Sequence, residues 1–506
     1  MMWQKFPLVR LAVPFLLGMC GASALIGYVD WRLDMLFVIM ASLLMMLVVC
    51  HNGWVRTPLC SHVFTAALFL LFVLFGAFLY IIRYRDVATA VDVSQTTLRG
   101  VVETPPWRTA RSVALDMTTP DGAHLRIYLQ PSDDHNPLQL QRGDTLLIRP
   151  LHLNATCPLQ QNDTSCYTAY NRYLFFQGIS ATCYVLSRQW QHQPTARRDT
   201  TWNERLHQYY VQSPLDTTTL SMVEALTIGR REELSPQLRR QYSAAGVAHV
   251  LALSGMHLAL LIGLLNNLIF RFFLYEQRRW LMLSVIPMLW VYTFVAGMPP
   301  SLVRAAVMAS FLQFGFTIRR EYSMLNALAL AALVMLCWNP LQLQNVGFQL
   351  SFLSMLGVGV VFKPLCLYAS PSAKDIIPHI SFGLKSTRPF IRFTMMTLSC
   401  TLFTAPIVAY HFGQLPVYSL VTNIVVPFLV TLLLYTSVAW LLLFWWPVAQ
   451  SLLGHGLEVL VNVQNTVVET IASWPAATIE VRPTFLVVLL YYFLLFFAIR
   501  RFLYRS

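Results

Sequence analysis

Apolar segments that reach or approach the length needed to cross a bilayer recur from one end of this chain to the other. They run over about 7–29, 33–50 and 63–82, then 248–270, 281–297, 301–318, 323–338, 346–362, 393–411, 416–445 and 484–499. A spanning helix needs about 20 consecutive apolar residues, because the hydrocarbon core is about 30 Å thick and a helix rises about 1.5 Å per residue. Composition agrees, with 56% of the 506 residues hydrophobic and 12% charged, about half the charged share of a soluble domain. The expected fold class is a polytopic α-helical membrane protein of about 12 spans. Segment 450–473 is more polar, with His455, Glu458, Asn462, Gln464, Asn465 and Glu469; if it spans, protein or water must shield one face from lipid. The first segment has Lys5 and Arg10 at its start, as a signal peptide does, but its apolar stretch continues to Val29 and reads as a spanning helix.

Between the third and fourth segments the character changes. Residues 83–215 hold no long apolar run and about half of the acidic residues, so a soluble domain is inserted there. Apolar positions alternate at Val113, Leu115 and Met117 and again at Leu125, Ile127 and Leu129, the period of a half-buried strand. Pro105-Pro106, Asp121-Gly122 and Arg142-Gly143-Asp144 read as turns. Five strands are expected, at 97–103, 112–118, 123–130, 144–151 and 179–186, with a helix over 167–178. That set fits a small β-barrel such as an OB-fold. Segments 202–210 and 217–228 read as amphipathic helices on the membrane surface. The expected organisation is 1–82, three transmembrane helices; 83–190, an extracytoplasmic OB-like domain; 191–247, interfacial helices; and 248–506, a helical transmembrane channel domain.

The net charge of +13 fits cytoplasmic loops rich in Lys and Arg, or a polyanionic partner, and charge alone does not separate the two. Arg271, Arg278 and Arg279 mark one inside loop, and Arg319 with Arg320 the next. Lys363, Lys374, Lys385, Arg388 and Arg392 mark a third, and Arg500, Arg501 and Arg505 the C-terminus. With Lys5 and Arg10 also inside, three helices carry the inserted domain outside, and both termini are cytoplasmic. Of nine cysteines, Cys157, Cys166 and Cys183 share the inserted stretch. An oxidising compartment allows one disulfide there, with Cys166 and Cys183 the candidate pair.

Polar residues inside apolar segments are costly and usually purposeful. The densest group is Ala245-Gly-Val-Ala-His-Val-Leu-Ala-Leu-Ser-Gly-Met-His257, with Ser254 and His257 three apart and so on one helical face. A serine near a histidine invites a nucleophile reading, but no acid stands nearby and no Gly-x-Ser-x-Gly elbow surrounds Ser254. His249 and His257 make a poor metal site without an adjacent carboxylate or thiol. Two readings remain open, histidines bonded within a packed bundle or the polar lining of a conduit. Arg304 either snorkels to outer headgroups or stands as a fixed cation at the mouth of an anion path. Gln349 and Ser351 begin another helix, while Pro406, and Asn423 with Pro427, are expected to interrupt two more. In the inserted domain Trp107, Arg108, Arg111, Arg126 and Tyr128 combine cations and rings as single-strand binding surfaces do, although acidic residues there are about as numerous as basic ones. No Gly-Lys pair exists, which excludes a Walker A loop, and no cofactor, metal or nuclease motif stands out.

The run ending at His257, preceded by Glu233-Leu-Ser-Pro-Gln-Leu-Arg, resembles the signature of the ComEC competence family, a Gly-Thr-x-His-Leu-Leu-Ala-Ile-Ser-Gly-Leu-His run. His249, Ser254, Gly255 and His257 fall on its fixed positions. Arg304-Ala-Ala-Val-Met, Asn339-Pro340, Gly347-Phe-Gln-Leu-Ser-Phe352, Thr404-Ala-Pro406 and Asn423-x-x-x-Pro427 resemble its later landmarks in order. Residues 1–190 resemble its N-terminal helices and OB-like domain more loosely. The resemblance implies a non-enzymatic inner-membrane channel for single-stranded DNA in natural transformation. It implies work beside a separate periplasmic DNA receptor, a cytoplasmic motor and a nuclease. The family's Gly-Asp-Arg is here Gly229-Arg230-Arg231, and the sequence stops at Ser506, ahead of the β-lactamase-like domain that many members carry. Rival readings are a membrane-embedded hydrolase using Ser254 and His257, and a small-molecule exporter.

Overall fold

In a computed structural model the structure describes residues 6–26, 32–51, 58–89, 97–109, 111–131, 137–150, 152–157, 169–194, 201–231, 233–272, 275–317, 323–362 and 381–503. Lys5, Cys166, Arg319, Arg320, Lys363, Lys374 and Arg505 lie outside the described residues. The chain forms two compact units, Met1–Thr200 with Ala329–Asn345, and Thr201–Leu328 with Val346–Ser506.

The first unit opens with α1 (Pro7–Leu25), α2 (Leu33–His51) and α3 (Pro58–Thr89). Helices α1 and α3 cross at glycines. A β-carbon on Gly18 would stand 1.8 Å from the Val73 carbonyl oxygen, and one on Gly76 2.2 Å from that of Phe15. The sheet follows, as β1 (Leu98–Val102), β2 (Trp107–Arg108), β3 (Val113–Thr118), β4 (His124–Leu129), β5 (Thr145–Ile148) and β6 (His152–Ala155). Helix α4 (Ala169–Phe176), β7 (Ala181–Val185) and β8 (Trp190–Gln193) complete it. Each of the five expected strands has a counterpart, and β2, β6 and β8 are additional. The hydrogen-bonded order is β6-β7-β4-β3-β1-β5-β8, with β2 on β3. Among the described residues β6 and β8, the two ends, do not pair, so this ladder is not a closed barrel. Strand β7 lies parallel to β4, with Tyr128 opposite Tyr184; parallel neighbours need a crossover, and α4 lies in it. Alternate residues of β4 point inward, and Leu115, Met117, Leu125, Ile127, Leu146, Ile148 and Val185 fill the core. Cys183 lies in that core with no disulfide partner among the described residues, and burial pushes its thiol up to about 12.

The second unit is helical: α5 (Trp202–Val211), α6 (Thr217–Thr227), α7 (Pro236–Ala244), α8 (Gly255–Phe272), α9 (Tyr275–Val295), α10 (Pro300–Thr317), α11 (Met324–Trp338, reaching into the other unit's residues), α12 (Val346–Gly357), α13 (Ser381–Phe412), α14 (Ser419–Leu442), α15 (Pro447–Ala472) and α16 (Phe485–Leu503). Helix α12 continues as a π-helical turn over Val358–Phe362. Short strands β9 (Gln414–Pro416) and β10 (Thr478–Glu480) pair antiparallel. Thr201 and Glu204 close a capping box on α5, and Asp216 and Ser235 cap α6 and α7.

Helices α5–α7 bury Tyr210, Met222, Leu226 and Tyr242 in one core with Val426, Val430, Trp440, Leu457 and Val461 of α14 and α15. This contact accounts for much of the polarity of 450–473. Gln464 donates to the Tyr242 hydroxyl at 2.9 Å, that hydroxyl donates to Asn465 at 2.9 Å, and Gln241 donates to Glu469 at 3.0 Å. The expected interruptions at Pro406 and Pro427 do not occur, because α13 and α14 run through both. A proline removes one amide from the ladder but does not end a helix whose two halves are held by neighbours; Val426 and Pro427 are buried.

Four helices among the described residues are long and apolar enough to cross a membrane: Pro7–Leu25, His62–Thr89, Ile391–Phe412 and Ser419–Leu442. Five shorter apolar helices are Leu33–Val48, Gly255–Asn267, Trp280–Val295, Met324–Trp338 and Val346–Phe362. The chain is mostly helical and carries several apolar helices that suit a bilayer.

Candidate functional site

The signature run folds as a stop, a turn and a start. Helix α7 ends on Gly246 at φ 80°, with the Val247 amide bonded to the Tyr242 carbonyl at 2.9 Å and the Gly246 amide to that of Ser243 at 3.0 Å. This is a Schellman cap, in which glycine supplies the left-handed residue. A β-carbon there would also stand 2.5 Å from the Ser419 side chain, so the turn is pressed against the start of α14. Helix α8 then begins at Gly255, with Ser254 just before it. The Ser254 amide donates to His257 Nδ1 at 3.2 Å, so the histidine does the work a glutamate does in a capping box.

Arg304 reaches this start from α10. A β-carbon on Gly255 would lie 3.0 Å from Arg304 Nη2 and 3.2 Å from the Ala305 side chain, so the guanidinium rests against the first turn of α8. Ser301 fixes the approach by donating to the Leu253 carbonyl at 2.6 Å. Arg304 donates from Nη1 to the Ser351 carbonyl on α12, and its Cζ is 5.7 Å from the Phe352 ring centre. Arg304 is 5% exposed and His257 fully buried. No carboxylate pairs with Arg304 among the described residues. Three side-chain atoms here are buried without a partner: Ser254 Oγ, His257 Nε2 and Arg304 Nε.

The structure therefore gathers Ser254, Gly255, His257, Arg304 and Ser351 at one point. His249 is exposed on the turn before them, Gln349 is half-buried on α12, and Asn423 is half-buried on α14. Asn423 makes no hydrogen bond to the cluster among the described residues.

The sheet unit carries the other expected residues. Arg126 donates to both Asp116 oxygens, at 2.7 and 2.9 Å, and lies 5.2 Å from the Trp107 ring centre. Burial alone would lower the Arg126 pKa; the bonds to Asp116 outweigh it and hold it above its usual value. The Tyr128 hydroxyl is 2.9 Å from that of Tyr170, and the Tyr128 ring stacks on Tyr184 at 4.9 Å. Arg108 and Arg111 are exposed. Tyr170, Tyr173 and Tyr184, each about half exposed, extend the surface. Sequence reading points to Tyr173 but not to Tyr170 or Tyr184, because Tyr184 meets Tyr128 only through a parallel pairing that periodicity does not reveal.

A second missed group lies between α5, α6 and the segment before α7. His207 Nδ1 is 2.8 Å from Glu224, which is 1% exposed, and its Nε2 is 3.7 Å from Glu233. One ligand atom from each lies within 4.8 Å of the others, so these are described residues that could hold a metal ion.

A family model described as competence protein matches residues 226–504. ComE operon protein 3 of Bacillus subtilis (strain 168) is 29% identical over 276 residues, 54% of this chain and 33% of that protein. An uncharacterized protein of Aquifex aeolicus (strain VF5) is 24% identical over 233 residues, 46% of this chain and 50% of that protein. The matches thus span only a third and a half of these relatives' own lengths. No solved structure matches.

Proposed function

Because the chain belongs to the competence-protein family, we propose that it forms a passage for single-stranded DNA across a bacterial inner membrane during natural transformation. The observation that carries this reading is the family match over 226–504, which takes in the point where α8, α10 and α12 bring a buried arginine to the signature serine and histidine. A strand in transit needs charge that is sparse, since many cations would hold it in place. Half-buried Gln349 and Asn423 suit the same role, replacing water at phosphates without gripping them.

The remaining parts follow from the same reading. About twelve spans with both termini cytoplasmic hold the sheet unit in the periplasm, where Arg108, Arg111, Trp107 and the tyrosines around Tyr128 receive the strand. An OB-like barrel is supported by the order β1-β3-β4-β7 with β7 parallel to β4. It is supported too by β5 and β6, which flank Arg149-Pro150-Leu151 and pair with β1 and β7 respectively, as two halves of one bent strand would. A periplasmic DNA receptor, a cytoplasmic motor and a nuclease are separate proteins.

The chain performs no turnover of its own in this reading. For a hydrolase, Ser254 Oγ should bond the histidine that activates it; His257 Nδ1 instead accepts the Ser254 backbone amide, and Ser254 Oγ has no partner. The test is deletion of the gene followed by labelled DNA. Label stalled in the periplasm is the expected result, and normal arrival in the cytoplasm overturns the passage.

A further inference from the structure

We propose that the start of α8 is a binding site for one oxyanion of the phosphate class, gripped by Arg304 with Ser254 and His257. The inference rests on the passage reading for its natural ligand, a phosphodiester of the strand, but stands on independent geometry. A guanidinium offers five N–H donors and no acceptor. Arg304 spends Nη1 on the Ser351 carbonyl and leaves Nε buried and unbonded, with no carboxylate among the described residues to balance its charge. A buried cation is ordinarily paired, because removal from water is costly without an opposite charge.

The neighbours are donors too. His257 accepts at Nδ1, so in its neutral form the proton sits on Nε2, which is buried and unbonded. The Ser254 hydroxyl, in the position where a cap normally accepts a helix amide, has no partner. The N-terminus of α8 adds backbone amides and the positive end of its dipole. Gly255 lets the guanidinium lie against the helix start, since any β-carbon would meet Arg304 Nη2 at 3.0 Å. Cation, hydroxyl, imidazole N–H and helix amides thus lie around one helix start with one carbonyl among them, the donor set an oxyanion needs. With neutral His257 the formal charge is +1, which matches the single negative charge of a phosphodiester.

The test uses the full chain in detergent, with inorganic phosphate and a short oligothymidylate as probes in separate titrations. A third titration uses the same oligomer with uncharged methylphosphonate linkages. Wild type should bind phosphate at one equivalent and bind the charged oligomer in preference to the uncharged one. Arg304→Gln should weaken both by about tenfold or more, the scale of a lost charged hydrogen bond. Ser254→Ala, which keeps the fold, should weaken them about threefold. Equal binding by wild type and Arg304→Gln, or no phosphate and no oligomer binding by wild type, overturns the site. If deletion blocks DNA uptake while Arg304→Gln restores it fully, the site fails and the passage stands. If phosphate binds through Arg304 but deletion leaves uptake normal, the site stands as one for free phosphate and the passage fails.

Discussion

Two arginines, a part-buried one in the sheet unit and a buried one in the helical unit, divide the labour that sequence assigned to them jointly. Arg126 on β4 has both Asp116 oxygens and a Trp107 ring. Arg304 on α10 has one carbonyl, a Phe352 ring and an unbonded Nε. The first has its charge neutralised within the fold and serves packing; the second has no balancing carboxylate among the described residues. Burial alone does not distinguish a structural cation from a receptive one. The partner count does, and it moves the expected phosphate contact in the sheet unit away from Arg126 toward exposed Arg108 and Arg111.

The comparison breaks most readily at Asp116. Asp116→Ala leaves Arg126 part-buried and unpaired, and should cost about 3 kcal/mol in a denaturant melt of the sheet unit's signal. Adding Arg126→Met should recover most of that loss, and failure to recover it would mean the pair is not what stabilises β3 against β4. Gly255→Ala pushes on Arg304 and should lower DNA arrival in the cytoplasm about tenfold with little change in melting; an unchanged uptake would show that the guanidinium has room to move aside. Arg111→Gln should weaken single-strand binding about threefold and flatten its log–log salt slope by about 0.7. An unaltered slope removes Arg111 from the contact.

The smallest effect belongs to the half-exposed pair of His124 and Glu103 at 2.9 Å. The hydrogen bond to Glu103 raises His124, and the bond to His124 lowers Glu103. The histidine's share is full below its ordinary value and lost as pH rises through the raised one. The glutamate's share is full above its ordinary value and lost as pH falls through the lowered one. Stability from the pair should therefore peak between the two, by about 0.5 kcal/mol at most for so exposed a contact. His124→Ala should remove the dependence at both edges in pH-resolved melts.

Local pattern carried much of this into the sequence. Alternation at Val113–Met117 and Leu125–Leu129 was enough to predict β3 and β4, because a period of two has one structural cause. The spacing of Ser254 and His257 put them on one face, and they do meet. What sequence did not reveal depends on partners distant along the chain. Nothing near Arg126 marks Asp116 as its mate, nothing near His207 marks Glu224, and the polar residues of α15 call for a shield that the sequence does not name and α7 supplies with Tyr242. Prolines 406 and 427 misled for the same reason, since whether a helix survives a missing amide is decided by what packs around it.

The glycine crossing of α1 and α3 has a bearing on assembly. Where Gly18 faces Val73 and Gly76 faces Phe15, main chain meets main chain, and carbonyl oxygens rest on glycine α-hydrogens. Such an interface needs no aqueous surroundings to favour it, because fit and dispersion work as well in oil. The amino-terminal helices can thus find one another inside the bilayer on shape alone, before any polar group elsewhere in the protein has met its counterpart.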